Sequence, residues 1–125
     1  MHRRMPLSVM LLTALLTGGC GMEDYNVVIN NVGKRTISDA CVAYGEFRSV
    51  GGVIASAARV TQLTPEYAIP ATATVEWRTE DGQMHRKEVE VKKLVPKDFR
   101  GDIVFEIADD STVTVRVVPR EKLRF

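Results

Sequence analysis

The sequence contains few of the residues on which metal-dependent or nucleophilic chemistry depends. Its 125 residues include two cysteines and two histidines, and no Cys/His spacing typical of a zinc site occurs. His85 lies in a strongly charged segment, which favours a surface position. The serines Ser38, Ser49, Ser56 and Ser111 lack the glycine-flanked context of a nucleophile elbow. We therefore expect no catalytic residue, no metal site and no cofactor, and we predict that the protein is not an enzyme.

The chain also lacks a surplus of charge of either sign. Seventeen basic residues stand against sixteen acidic residues, and the formal net charge is +1. Proteins that bind nucleic acid carry a concentrated positive charge that neutralises phosphates. We therefore expect no nucleic-acid partner.

Long hydrophobic runs are absent as well. The longest apolar stretch, Leu7 to Leu16, has ten residues, whereas a membrane-spanning helix needs about 20. His2, Arg3 and Arg4 precede this stretch, and the small residues Thr17, Gly18 and Gly19 follow it, directly before Cys20. A basic start, a short apolar core and small residues at a cleavage point are typical of a secretory signal peptide.

With a cysteine at the cleavage point, this segment resembles the lipobox signal peptide of bacterial lipoproteins. The family usually has leucine at the place of Thr17, so this position departs from the pattern. The resemblance implies that residues 1–19 are removed and that Cys20 becomes the lipidated first residue, the lipid being the only group expected on the chain. It also implies an outer-membrane, periplasm-facing location, because Gly21 replaces the aspartate that retains such proteins in the inner membrane. The inner membrane is the alternative.

Cleavage would leave a chain of one-domain size. Removing 19 of the 125 residues leaves 106, which fits one domain. We divide this chain into a tether at 20–24, a domain at 25–118 and a basic tail at 119–125. Cys41 then has no cysteine partner within the chain. Its apolar surroundings predict a buried thiol, and a disulfide to another molecule is the alternative.

Alternation of apolar and polar residues with a period of two predicts strands throughout the domain. Ala73, Val75 and Trp77 show it most clearly, and Trp77 is the predicted centre of the core. The segment 46–58 contains Gly51 and Gly52 and is predicted to be a long loop. About seven short strands separated by turns favour an all-β fold, a single antiparallel β-sandwich of the immunoglobulin-like type. A small, partly open barrel is the alternative.

The short tether would hold one end of such a sandwich against the membrane, because four extended residues reach about 14 Å. If successive strands alternate in direction, the loop 46–58 and the turns 80–82 and 109–111 lie at the membrane end. The loops 32–36, 64–71 and 92–101 and the tail then lie at the opposite, basic end. We predict that this basic end binds a partner through Lys34, Arg35, Lys97 and Arg100. The alternative is an ordinary charged surface.

Two functions follow as hypotheses. The first is a lipid-anchored periplasmic module that binds one protein, in the manner of an inhibitor. In size, anchor and strand pattern the chain is similar to the small lipoprotein immunity proteins that block type VI secretion effectors. The second is a structural accessory of an envelope or secretion machine, similar in plan to the β-sandwich lipoprotein of the type VI apparatus. Both imply the membrane and a protein as partners.

Overall fold

A computed structural model describes residues 24–63 and 65–120, which form two sheets packed face to face. The strands are β1 (Asp24–Asn31), β2 (Ile37–Tyr44), β3 (Phe47–Ile54), β4 (Arg59–Gln62), β5 (Thr72–Arg78), β6 (Met84–Glu90), β7 (Arg100–Ile107) and β8 (Val113–Pro119), with a 3₁₀ turn at Lys92–Leu94. The expectations for residues 1–19, for Cys20 and the rest of the tether before Asp24, and for the tail beyond Arg120 lie outside the described residues.

Each sheet has four strands. One has the order β4-β1-β7-β8 and the other the order β3-β2-β5-β6. Every pairing is antiparallel except that of β1 with β7, which is parallel. The all-β sandwich predicted from the sequence is confirmed. Among the described residues, no helix is long and apolar enough to cross a membrane.

The core lies between the two sheets, where the apolar residues of the alternating strands meet. Trp77, Phe105 and Val75 are all almost fully buried there, as the alternation predicted. Burial of this kind contributes roughly 1.5–3 kcal/mol for each large apolar side chain. Cys41 is 3% exposed and unpaired, so the prediction of a buried thiol is confirmed.

Three sequence predictions need correction. The segment 46–58 is not a long loop, because Phe47–Ile54 forms strand β3 and pairs with β2. The described residues therefore contain eight strands rather than seven. The immunoglobulin-like type is not confirmed: in an immunoglobulin constant domain the first strand shares its sheet with the second, fourth and fifth, whereas here it shares a sheet with the fourth, seventh and eighth.

The additional strand also changes which loops lie together. We call the end of the sandwich at which β1 begins the proximal end, and the end at which β1 finishes the distal end. Because each strand reverses the chain, the connections 63–71 and 91–99 lie at the proximal end. The connections 55–58, 79–83 and 108–112 lie at the distal end, together with 32–36. The predicted placement of every loop after β3 is thus wrong.

Hydrogen bonds between the sheets agree with this assignment. At the proximal end the Tyr25 hydroxyl of β1 bonds to the Tyr44 hydroxyl of β2 and donates to the carbonyl of Tyr67. At the distal end the Asn31 amide of β1 donates to the carbonyl of Ile54, the last residue of β3, at 3.0 Å.

Candidate functional site

A cleft of about 350 Å³ opens at the distal end of the sandwich. The turn 79–83 between β5 and β6 forms one wall, and the turn 108–112 between β7 and β8 forms the other. The connection after β1 closes a third side through Arg35. Because each wall comes from a different pair of strands, both sheets build the cleft. We call it the distal cleft.

His85 of β6 lies inside this cleft and is half-buried. It is directly opposite Trp77 in the β5–β6 ladder. Its imidazole stacks on the indole of that residue, with ring centroids 5.3 Å apart and planes inclined by 13°. Offset stacking of this kind contributes roughly 0.5–1.5 kcal/mol beyond the buried area. The stacking fixes the plane of the imidazole, so both ring nitrogens have defined directions.

Each ring nitrogen contacts a hydroxyl group. His85 Nε2 is 3.1 Å from Thr79 Oγ1, and Nδ1 is 3.3 Å from Ser111 Oγ. The Thr79 hydroxyl has one proton and lies in hydrogen-bonding distance of the Asp81 carboxylate, which can only accept. Thr79 Oγ1 therefore accepts from Nε2–H, while Nδ1 lies within hydrogen-bonding distance of the Ser111 hydroxyl. The result is a connected polar chain from Asp81 to Ser111.

Ser111 reaches His85 from an unfavourable backbone conformation. The two turns have the same hydrogen bonds: Gly82 N–H donates to Thr79 O and Thr79 N–H to Gln83 O, just as Ser111 N–H donates to Ala108 O and Ala108 N–H to Thr112 O. Such three-residue hairpin loops end in a left-handed residue, usually glycine.

The first turn meets this requirement with Gly82 at φ 84°, whereas the second has Ser111 at φ 67°. A left-handed residue with a side chain costs about 1–2 kcal/mol. The compensating feature at position 111 is the hydroxyl group, which glycine lacks and which contacts His85.

Aspartates stabilise both turns in equivalent positions. Asp81 Oδ1 accepts from the backbone N–H of Gln83 at 3.1 Å, and Asp110 Oδ1 accepts from that of Thr112 at 3.2 Å. The hydroxyl of Thr79 lowers the pKa of Asp81 first, and the backbone N–H second. The hydroxyl and N–H of Thr112 do the same for the pKa of Asp110. Both walls of the cleft are therefore held by ionised carboxylates.

A buried asparagine shapes the third wall. Asn31 is 1% exposed, and its amide donates to the carbonyls of Arg35 and Ile54 at 2.8 and 3.0 Å while its oxygen accepts from Gly33 N–H. Asp109 accepts from Lys34 N–H at 2.9 and 3.1 Å. The connection 32–36 is thereby attached to the β7–β8 turn, and this brings Arg35 to the cleft.

The cleft also has groups that are free to interact with a partner. Arg35 and Glu80 both line it, and neither forms a salt bridge with any other residue of the described ranges. The cleft therefore offers a guanidinium donor, carboxylate acceptors, an imidazole and a hydroxyl. Across residues 24–63 and 65–120 no three carboxylate, histidine or cysteine side chains are close enough to hold a metal ion. The arrangement is suited to binding a polar group.

The four predicted partner-binding residues do not lie together. Lys34 and Arg35 follow β1 and belong to the distal end, whereas Lys97 and Arg100 precede and begin β7 and belong to the proximal end. The single basic surface predicted from them is wrong, because the missed strand β3 reversed the assignment of every later loop.

Sequence reasoning also missed His85 and Ser111. A signal for His85 was present, since Trp77 and His85 are equally distant from the centre of the turn at Asp81. Residues placed in this way face each other across a hairpin. The contact with Ser111 had no such signal, because it joins two different sheets.

Comparison with known proteins shows only the fold. The fold is similar to that of an NMR structure of a protein from Eubacterium rectale, with a TM-score of 0.54 and 16% sequence identity, over 81% of this chain and 94% of that one. No family model matches the sequence, and no curated protein matches it.

Proposed function

We propose that this protein is a lipid-anchored binding module of the bacterial outer membrane that captures one protein partner in the periplasm. The basic, apolar and small residues that precede Cys20 support the anchor. The distal cleft supports the binding role, because its walls are fixed by hydrogen bonds while Arg35 and Glu80 are left free of ion pairs within the described chain.

One observation carries the proposal: the distal cleft lies at the end opposite the start of β1. Cys20 precedes Asp24 by four positions, so an anchor at Cys20 attaches to the proximal end. Strand β1 has eight residues, and a strand of this length spans about 25 Å. The cleft would therefore open into the periplasm, away from the membrane, where a soluble partner can reach it.

The mixed charge of the cleft favours one specific partner. Arg35 requires an acidic group and Glu80 a basic group, so a partner must present both in the correct arrangement. Groups of matched charge at an interface contribute more to specificity and association rate than to affinity. The mechanism we propose is steric occlusion, in which the distal end covers the functional surface of the partner. Of the residues predicted from the sequence, Lys34 and Arg35 remain in this proposal.

A structural accessory role is the second candidate, and strand β3 favours it. This strand is an edge strand of its sheet, and Val50 and Val53 on it are 66% and 71% exposed. An exposed apolar edge strand can pair with a strand of another protein. Assembly into an envelope machine would use this edge rather than the cleft.

Site-specific photo-crosslinking in intact bacteria tests the two candidates. A photoreactive amino acid replaces Gln83 at the cleft, Val53 at the β3 edge or Glu46 at the proximal end. We expect one crosslinked protein from position 83 and its loss when Arg35→Glu is added. Crosslinks from position 53 alone would contradict partner binding at the cleft and support the structural role. Crosslinks from position 46 alone would contradict both. Flotation of the protein with membranes, compared with Cys20→Ala, tests the anchor separately.

A further inference from the structure

A second concave surface lies at the proximal end, where the connection between β6 and β7 meets the end of β8. It is a groove of about 400 Å³. Its apolar lining consists of Pro96, Phe99 and Pro119, and its basic lining consists of Lys97, Arg100 and Arg120. We call residues 92–100 together with Pro119 and Arg120 the basic surface.

Positive charge predominates on this surface after its ion pairs are taken into account. Lys93 pairs with Glu90 at 3.1 Å, and Arg120 pairs with Asp24 at 2.8 Å. Within the described ranges Lys92, Lys97 and Arg100 form no salt bridge. The one carboxylate on the surface outside those pairs belongs to Asp98, whose neighbours in sequence are Lys97 and Phe99. The unpaired charges therefore give a positive excess.

An apolar side chain accompanies these charges. Leu94, the last residue of the 3₁₀ turn, is 48% exposed. Cationic side chains around an exposed apolar residue are typical of surfaces that lie at a membrane interface, where the cations contact phosphates and the apolar group enters the headgroup region.

The path of the chain adds a geometric argument. Asp24, where β1 begins, is joined to Arg120 of the basic surface by the salt bridge described above. The chain therefore enters the domain directly beside this surface. Four extended residues from Cys20 to Asp24 reach about 14 Å at most, which is comparable with the roughly 8 Å over which charges act at physiological ionic strength.

We propose that the basic surface is the face with which the domain lies on an anionic bilayer. The inference rests on the proposed lipid anchor at Cys20 and adds an orientation to it. Lys92, Lys97 and Arg100 contact lipid phosphates, and Leu94 enters the headgroup region. Both the contact of the basic surface with the bilayer and the short tether at the proximal end then keep the distal cleft pointing away from the membrane.

Depth-dependent quenching on the full lipidated chain tests this orientation. A tryptophan is introduced as Leu94→Trp, and Met84→Trp at the distal end is the matched control, because the two native residues are 48% and 47% exposed. Each protein is reconstituted in vesicles of phosphatidylcholine, with or without phosphatidylglycerol, that carry brominated acyl chains. The signal of buried Trp77 is subtracted using the unsubstituted protein.

We expect quenching at position 94 that increases with phosphatidylglycerol, and none at position 84. Adding Lys97→Glu with Arg100→Glu should lower the anionic-lipid-dependent quenching by at least about fivefold, as expected for the loss of cationic contacts. Lys34→Glu with Arg35→Glu should leave it unchanged. Protein that floats with the vesicles but shows equal quenching at both positions would overturn the orientation and leave the anchor intact. Protein that does not float would overturn both.

Discussion

At the scale of single residues, the distal cleft depends on a serine in a conformation that disfavours it. Gly82 and Ser111 occupy equivalent positions in two turns with the same hydrogen bonds, yet only one of them is glycine. A Cβ at position 82 would meet nothing within 4 Å, so glycine is needed there for its backbone freedom alone. Ser111 lacks the backbone freedom of glycine, but its side chain has a hydroxyl group that contacts His85.

This difference predicts the stability of two variants. Ser111→Gly and Ser111→Ala both remove the hydroxyl, but only glycine adopts a positive φ without strain. We expect Ser111→Gly to be more stable than Ser111→Ala by about 1 kcal/mol, measured as the free energy of unfolding in urea. The control is Gly82→Ala, which should be destabilised by a similar amount. Equal stability of the two Ser111 variants would show that position 111 carries no strain.

Cys41 provides a second prediction at this scale. Burial is the main cause that raises the pKa of its thiol. Arg48 lowers this pKa and Glu76 raises it, each by less than burial does. Since only the thiolate reacts, we expect Cys41 in a Cys20→Ala chain to resist a thiol reagent near neutral pH and to react once urea unfolds the protein. The control is Val53→Cys at a site that is 71% exposed, which should react without denaturant. Rapid reaction of native Cys41 would contradict the buried position and reopen pairing with another molecule.

At the scale of strands and turns, the sequence predicted most elements but failed at one. Alternation identified the strands near Trp77 and Phe105 because an apolar residue at every second position has one interpretation in a half-buried sheet. Strand β3 was missed because Gly51 and Gly52 suggested a loop. In the structure Gly52 has φ 65°, and the register between β2 and β3 shifts beside it. These glycines therefore form a bulge within a strand.

The cause of that error is a contact between the two sheets. A Cβ on Gly51 would lie 3.1 Å from Ile54 Cδ1 and 3.3 Å from Ile29 Cδ1, so the position is restricted by a neighbouring strand of the other sheet. No pattern in the sequence of β3 itself reveals which strand covers it. The same limit applies to the contact between His85 and Ser111, which depends on how the two sheets pack.

The two distal turns also give a prediction about acid stability. The pKa of Asp81 and of Asp110 is lowered from the usual value of 3.8 by hydrogen bonds that exist only in the folded turns. Because the pKa of each carboxylate is lower in the folded state than in the unfolded state, each one stabilises the folded protein. This stabilisation is complete above the unfolded pKa and is lost as the pH falls through the folded pKa. We expect the urea concentration at the unfolding midpoint to decrease as the pH is lowered from about 5 to about 2.5. The decrease should be smaller in Asp81→Asn.

Glu80→Gln is the control for this measurement. Glu80 lies in the same turn as Asp81 but makes no ion pair within the described chain, so its replacement should leave the acid dependence as in the unsubstituted protein. An equal reduction in Glu80→Gln and Asp81→Asn would assign the effect to the net charge of the turn rather than to the hydrogen bonds.

At the scale of the whole molecule, the failure to predict strand β3 assigned all later loops to the wrong end of the sandwich. Because antiparallel neighbours alternate in direction, a single undetected reversal moves every later connection to the opposite end. The positive residues predicted to form one partner surface are thereby divided between a distal pair, Lys34 and Arg35, and a proximal pair, Lys97 and Arg100. We propose different tasks for the two pairs, partner binding for the first and membrane contact for the second.

This division predicts that only one of two matched double variants weakens partner binding. With the partner identified by crosslinking and the lipidated protein in detergent, Lys34→Glu with Arg35→Glu should weaken binding by about tenfold or more, because reversed charges at the rim of an interface slow association and repel a matched partner. Lys97→Glu with Arg100→Glu changes the net charge by the same amount at the far end, about 25 Å away along the strands. Surface charges at that distance are screened, so affinity should remain unchanged, as measured by surface plasmon resonance. Equal loss in both variants would indicate long-range steering by net charge, and loss in the proximal pair alone would place the partner at the end that we assign to the membrane.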